Sequence, residues 1–184
     1  LNFLRRAGLS TRFGKALDFG CGVGRLTLGL APFADRVVGV DVSPPHLRLA
    51  AERAEAKSVS NASFEAIGSV ADLDRYRGFD FVISLIVLQH NPPPVMAVLY
   101  GKLLAALAPG GVAIVQMPTF IEGQAFSAAG YLASEKPVME MHYLAQPLIY
   151  RVIEEADCRL LEVREDGSIG HGPGLSHTFC VQRR

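Results

Sequence analysis

Asp18 lies just ahead of the run Gly20-Cys21-Gly22-Val23-Gly24-Arg25, and a second acid, Asp41, closes the apolar run Arg36-Val37-Val38-Gly39-Val40. Alternating glycines where a short apolar strand turns into a helix let backbone come close to a ligand. An acid ending the next strand accepts from ribose hydroxyls. Together these residues describe a nucleotide-type pocket at the carboxyl edge of a parallel sheet.

Two details choose the ligand. Arg25 stands where a dinucleotide fingerprint would close on a glycine, and helix packing there wants a small residue, which disfavours NAD. Asp18 suits a cationic group better than a pyrophosphate, because opposite charges attract at short range. The expected ligand carries adenosine and a positive charge.

Further along, Leu88-Gln89-His90-Asn91-Pro92-Pro93-Pro94 follows an apolar strand-like run. His90 is a candidate general base, since an imidazole titrates in the useful range and the carboxyl end of a strand faces the ligand crevice. Asn91 is read as a helix cap with Pro92 in the first turn. Glu140, His142, Tyr143 and Gln116 compete for an acceptor pocket. His171 and His177, in or beside the Gly-rich stretch Gly167 to Gly174, read as loop residues. No carboxylate-histidine cluster calls for a metal.

The elements that must position these groups alternate as a doubly wound α/β sheet requires. A short amphipathic helix over Leu1 to Gly8 precedes strands at Lys15 to Phe19, Arg36 to Asp41, Ala62 to Ala66, Phe79 to Leu85 and Gly111 to Met117. Helices fall at Gly24 to Phe33, Pro44 to Lys57 and Pro92 to Ala108. Ser43 is placed to cap the second of these, which leaves Asp41 free for ribose. Pro109-Gly110-Gly111 reads as a turn. Gln146 to Ala156 completes the helices, and Arg159 to Arg164 and His177 to Gln182 the strands. Residues 118 to 145 have no clear period; their apolar and aromatic mixture, with the run Met139-Glu140-Met141-His142-Tyr143, is expected to cap the acceptor side, the other reading being an interface or a pair of packing helices.

A chain of 184 residues, 49% hydrophobic, is one domain's worth, taken as 1–184. Its 18 basic and 18 acidic residues cancel, so no global field draws it to nucleic acid or an anionic membrane. Cys21, Cys158 and Cys180 lack metal-ligand spacing and point to reduced thiols, hence a cytoplasmic location. Neither a transmembrane span nor a signal peptide is expected. The chain opens on Leu1 rather than Met, which leaves room for upstream sequence.

The segment Ala16 to Thr27 resembles the first motif of class I S-adenosylmethionine-dependent methyltransferases, Val37 to Pro44 the second, and Phe79 to Pro94 the post-second and fourth regions, with Ala105 to Met117 completing the order. The resemblance, closest to the small-molecule type, implies a Rossmann-like, mostly parallel seven-stranded sheet. Its last strand is antiparallel and inserted between the fifth and sixth, and the cap follows strand five. It implies S-adenosyl-L-methionine as cofactor, S-adenosyl-L-homocysteine as product, and cofactor contacts at Asp18, Gly20, Cys21, Gly22, Gly24, Asp41, Val42, Ser69 and Leu85. Where the family commonly places an acid after strand three, Ala66-Ile67-Gly68-Ser69-Val70 offers none before Asp72, so adenine is expected against Val42, held by backbone and Ser69. The Asn-Pro-Pro-aromatic motif of amino-directed members is incomplete, with Pro94 in the aromatic's place.

What the resemblance implies is in-line methyl transfer to an oxygen, nitrogen or carbon of a small molecule, with His90, Glu140 and His142 as the catalytic candidates and no metal. Orientation alone supplies up to about 7 to 11 kcal/mol in well-placed systems, more than a general base adds. Two other classes stay open. One is a methyltransferase of protein or nucleic acid, which needs a basic groove or docking element. The other is a non-catalytic cofactor-binding subunit, which predicts eroded glycines or a lost strand-two acid. A nicotinamide oxidoreductase is disfavoured by Asp18 and Arg25. Neither the acceptor nor the oligomeric state is legible.

Overall fold

A computed structural model describes residues 1–135, 139–169 and 173–184. Its core is a seven-stranded sheet of β1 (Phe13–Phe19), β2 (Ala34–Asp41), β3 (Ala62–Ala66), β4 (Phe79–Ser84), β5 (Leu107–Ile121), β6 (Cys158–Asp166) and β7 (Gly174–Arg183). The strand order is β3-β2-β1-β4-β5-β7-β6. The pairs among β1 to β5 are parallel, and β7 runs antiparallel to β5 on one side and β6 on the other. This is the Rossmann-like doubly wound architecture that the resemblance implies, with the last strand inserted between the fifth and sixth.

Burial on both faces explains why the central strands are apolar runs rather than alternating ones. In β1 the stretch from Ala16 to Phe19 is buried throughout, and in β2 so is the stretch from Val37 to Val40. Leu17, Phe19, Val38, Val40 and Val82 form one core with α4 (Pro93–Ala105) and α6 (Gln146–Glu155). Ala16, Val37, Phe81, Ile114 and Cys180 form a second, covered by α1 (Asn2–Arg6), whose Leu4 is fully buried, and by Leu30 of α2 (Arg25–Leu30). Strand order reverses between β1 and β4, so the crevice outside their carboxyl ends is the switch point at which such sheets bind ligands.

Ser43 caps α3 (Pro44–Ala56) as expected, accepting from the His46 amide at 3.4 Å. Three expectations need correction. Asn91 is not the cap of α4; Pro92 holds that position, and the Asn91 side-chain amide donates back to the Leu88 carbonyl at 3.3 Å. The following Pro93 pushes Pro92 into extended backbone, which moves the helix start one residue on. Second, α4 stops at Ala105, and Pro109-Gly110-Gly111 lies within β5. The shift of register between Phe79 and Phe81 on β4 absorbs the extra residues. Gly111 is required there, because a Cβ would meet the Phe79 carbonyl oxygen at 2.6 Å.

Third, β5 runs on to Ile121, paired with β7 as far as Gly174, so the segment from 118 begins as sheet. The rest of it holds α5 (Ala128–Ala133), capped by Ser127, and a coil from 139 to 145. His177 lies on β7 opposite Met117, as the strand expected from His177 to Gln182 has it and not as the loop reading does. His171 falls outside the described residues. Among these, no helix is long and apolar enough to cross a membrane.

Candidate functional site

Backbone shape comes first at the glycine turn. Gly20, Gly22 and Gly24 have φ of 72°, 52° and 79°, the left-handed region that L side chains enter at a cost. At Gly20 an added Cβ would collide with the Val87 side chain, and at Gly24 it would press on Ala50 and Phe64. Around Gly22 there is open space, so its bare backbone faces a volume that a ligand can fill.

The two acids hold this turn from either side. Asp41 accepts from the Gly22 amide at 2.8 Å through one carboxylate oxygen and from the Ser43 amide at 2.9 Å through the other. Contrary to the expectation that Ser43 capping leaves it free for ribose, it is partly engaged, but a carboxylate accepts about four hydrogen bonds and two remain. Asp18 is 1% exposed and accepts from the Thr27 hydroxyl at 2.6 Å. Burial pushes its carboxyl up to about 6, with the Thr27 hydrogen bond opposing. A buried carboxylate with so few partners gains from a cation brought near it.

Beside the turn opens a cavity of about 420 Å³. Gly20, Asp41, Val42, Ile67, Gly68, Ser69, Val87 and His90 are among the residues lining it. Val42, an apolar side chain at its lip, is 74% exposed. The Gly68-Ser69 corner is fixed by Asp72, whose carboxylate accepts both amides at 2.7 and 2.9 Å and is held below the ordinary carboxylate range by them. The acid that the sequence delays to Asp72 thus shapes the pocket wall.

His90 ends a short 3-10 segment, Leu88–His90, beyond β4. Its Nδ1 lies 2.8 Å from the Glu140 carbonyl oxygen. A carbonyl only accepts, so Nδ1 carries the proton, and Nε2 of the neutral ring keeps its lone pair. The His142 amide donates to the Gln89 carbonyl at 2.8 Å, a second bond between this segment and the coil from 139 to 145.

Glu140 and His142 do not line the main cavity. Glu140 Oε2 accepts from His142 Nε2 at 2.7 Å, and Tyr131 donates to both carboxylate oxygens at 2.8 and 2.9 Å. Phe126 stands edge-on to the His142 ring. Tyr143 packs against Phe120. Gln116 is 2% exposed: it accepts the Ile86 amide at 2.7 Å and donates to Ser176 at 2.6 Å, so it is a strut rather than an acceptor contact.

Of the residues expected at the cofactor, Gly20, Asp41, Val42 and Ser69 meet at the cavity, with Gly22 facing open space beside them. Cys21 is 7% exposed, its thiol pushed up to about 12 by burial, and a Cβ on Gly39 would lie 3.0 Å from its sulfur. Only its backbone belongs to the turn. Leu85 packs against the core that contains Phe81 and Ile114, outside the cavity lining. Sequence reasoning missed Thr27 as the partner of Asp18, although a lone hydroxyl in the apolar run of α2 marks it. It also missed Val87, whose fit against Gly20 has no local signature. Among the described residues no cluster could hold a metal ion.

Residues 16–111 match the family model for the methyltransferase domain. The chain is similar to the trans-aconitate 2-methyltransferase of Methylobacterium radiotolerans, with 39% identity over 105 residues, covering 56% of this chain and 37% of that protein. It is also similar to the carboxy-S-adenosyl-L-methionine synthase of Chromohalobacter salexigens, with 33% identity over 109 residues, covering 56% of this chain and 40% of that protein. It thus spans about two-fifths of the length of these curated relatives. Among solved structures, the magnesium protoporphyrin IX methyltransferase of Synechocystis PCC 6803 with bound S-adenosylhomocysteine superposes with a TM-score of 0.73 at 18% identity, over 100% of this chain and 80% of that one.

Proposed function

The chain belongs to the methyltransferase domain family, and on that footing we propose that it is an S-adenosylmethionine-dependent methyltransferase acting on a small molecule. The observation that carries the reading is that Asp41, which lines the cavity and has spare acceptors, also accepts the amide of Gly22 in the glycine turn that ends β1. The relative that is a trans-aconitate 2-methyltransferase and the structural neighbour with bound S-adenosylhomocysteine support it.

The residues present fit the cofactor. Asp41 accepts the ribose hydroxyls, Val42 and Ile67 take the flat base, and the Gly68-Ser69 corner borders it. Asp18 compensates the cationic end, and Gly22 gives room for the chain between. When bound, S-adenosylmethionine supplies an electrophilic methyl group and a thioether leaving group. His90 accepts the proton of an O–H or N–H nucleophile at Nε2, and its Nδ1–H stays on the Glu140 carbonyl, which holds the ring and the tautomer. The cap excludes water above this edge. The balanced charge supports a small acceptor over nucleic acid.

The test is incubation of the purified chain with S-adenosylmethionine and a panel that includes trans-aconitate and catechol, with S-adenosylhomocysteine measured by mass spectrometry. Product formed only with an acceptor present supports the reading. Cofactor binding without turnover on any acceptor class moves the chain to a binding subunit.

A further inference from the structure

Three described residues other than glycine have positive φ: Ser58 at 53°, Asp157 at 51° and Ile86 at 62°. Ser58 and Asp157 follow the last turns of α3 and α6, where chains ordinarily leave a helix this way. Ile86 follows a strand. For a β-branched side chain this backbone region is a true outlier, and such strain persists only where the surroundings over-determine it.

Those surroundings are polar and buried. The Ile86 amide is held by Gln116 Oε1 at 2.7 Å, and Gln116 Nε2 is held by Ser176 Oγ at 2.6 Å, so β5 and β7 together fix the backbone just past β4. The gain from this clamp is not burial, since Ile86 is 50% exposed. Glycine or asparagine would sit here with less strain, and an isoleucine that is half exposed returns only part of its burial to the free chain. Ile86 stands at the carboxyl edge, next in the chain to Val87, which lines the cavity and is fitted against Gly20, while Ile86 itself lies outside that lining.

We propose that Ile86 is a specificity-determining residue, an apolar wall held in place by Gln116 and Ser176 that selects an acceptor with a hydrocarbon face beside its nucleophile. This rests on the reading of the chain as a small-molecule methyltransferase. Gln116 and Ser176 are positioning residues in it, acting through the backbone of Ile86.

The test compares hexylresorcinol with resorcinol, two phenols that differ only in an alkyl chain, binding to protein saturated with S-adenosylhomocysteine. The wild type is expected to prefer hexylresorcinol by about tenfold or more, in line with partial burial of the added methylenes. Ile86→Asn, which tolerates the backbone but is polar, should lower that preference at least about fivefold, and Ile86→Val should keep it. Affinity for S-adenosylhomocysteine should stay within about twofold in both, and Ile86→Gly and Ile86→Asn should raise the urea midpoint through relief of strain. No preference in the wild type, or one unchanged in Ile86→Asn, overturns the wall. A tenfold loss of S-adenosylhomocysteine affinity in Ile86→Asn reassigns the side chain to the cofactor and overturns it too. Both phenols are also titrated without S-adenosylhomocysteine, so that failure of the cofactor to bind strikes the cofactor reading alone.

Discussion

The Asp41 carboxylate accepts the Gly22 amide at 2.8 Å, which makes the acid ending β2 and the glycine turn ending β1 a single unit. One carboxylate both shapes the turn and presents spare acceptors to a ribose. Removing it therefore has two effects that separate experimentally.

Asp41→Ala is expected to weaken S-adenosylhomocysteine binding by roughly 10- to 150-fold, the range for hydrogen bonds to a charged group, about 1.5 to 3 kcal/mol. It should also lower the urea midpoint, since the Gly22 and Ser43 amides lose their acceptor. Asp41→Asn keeps one acceptor oxygen and should fall between. Calorimetric titration with unchanged affinity in Asp41→Ala would remove the ribose role.

The glycines make a sharper contrast. Gly20→Ala collides with Val87 and should unfold easily. Gly22→Ala meets open space, so its cost is backbone strain alone, about 1 to 2 kcal/mol. It should stay folded yet lose at least about tenfold in cofactor affinity, because its methyl enters ligand space. A folded Gly22→Ala that binds normally would place the ligand elsewhere.

Burial raises Asp18 from 3.8 to about 6. The folded chain then holds this proton more tightly than the unfolded one, so the contribution to stability is full below about pH 4 and is lost as pH rises through 6. A shift of this size corresponds to about 3 kcal/mol. Asp18→Asn should accordingly be more stable than wild type at pH 7.5 by up to that amount, with the difference vanishing near pH 4. Affinity for S-adenosylmethionine moves the other way: it should weaken in the wild type as pH falls through 6 and be low and flat in Asp18→Asn. Urea midpoints that keep the same difference at both pH values would contradict the assignment.

For His90 the Glu140 bond separates fastening from catalysis. His90→Asn keeps a side-chain donor for the Glu140 carbonyl but has no base, whereas His90→Ala loses both. Both should slow turnover by roughly 10² to 10⁴, with S-adenosylhomocysteine affinity within about threefold of wild type. Recovery of turnover in His90→Asn alone would make the histidine a fastener of the coil that carries Glu140.

The glycine turn, both acids and the positions of the central strands along the chain were legible because their signals are local: residue types at fixed spacing, and apolar runs that fit a covered parallel sheet. What the sequence concealed depends on residues far apart in the chain. The extension of β5 to Ile121 needs β7 as partner, and the burial of Gln116 needs Ser176. Asp18 looked like a ligand contact, and only the fold reveals Thr27 against it. Glu140 and His142 read as rivals for one pocket, whereas they bond to each other. Ile86 had no signal at all, since a β-branched residue after a strand reads as more strand.

The most direct test of the central claim is isothermal titration of the chain with S-adenosylhomocysteine, with NADH as control. The account predicts one site per chain in the micromolar range for S-adenosylhomocysteine, weakened about tenfold or more in Asp41→Ala, and no heat from NADH. NADH binding at the same site, or no binding of S-adenosylhomocysteine to folded protein, would contradict it.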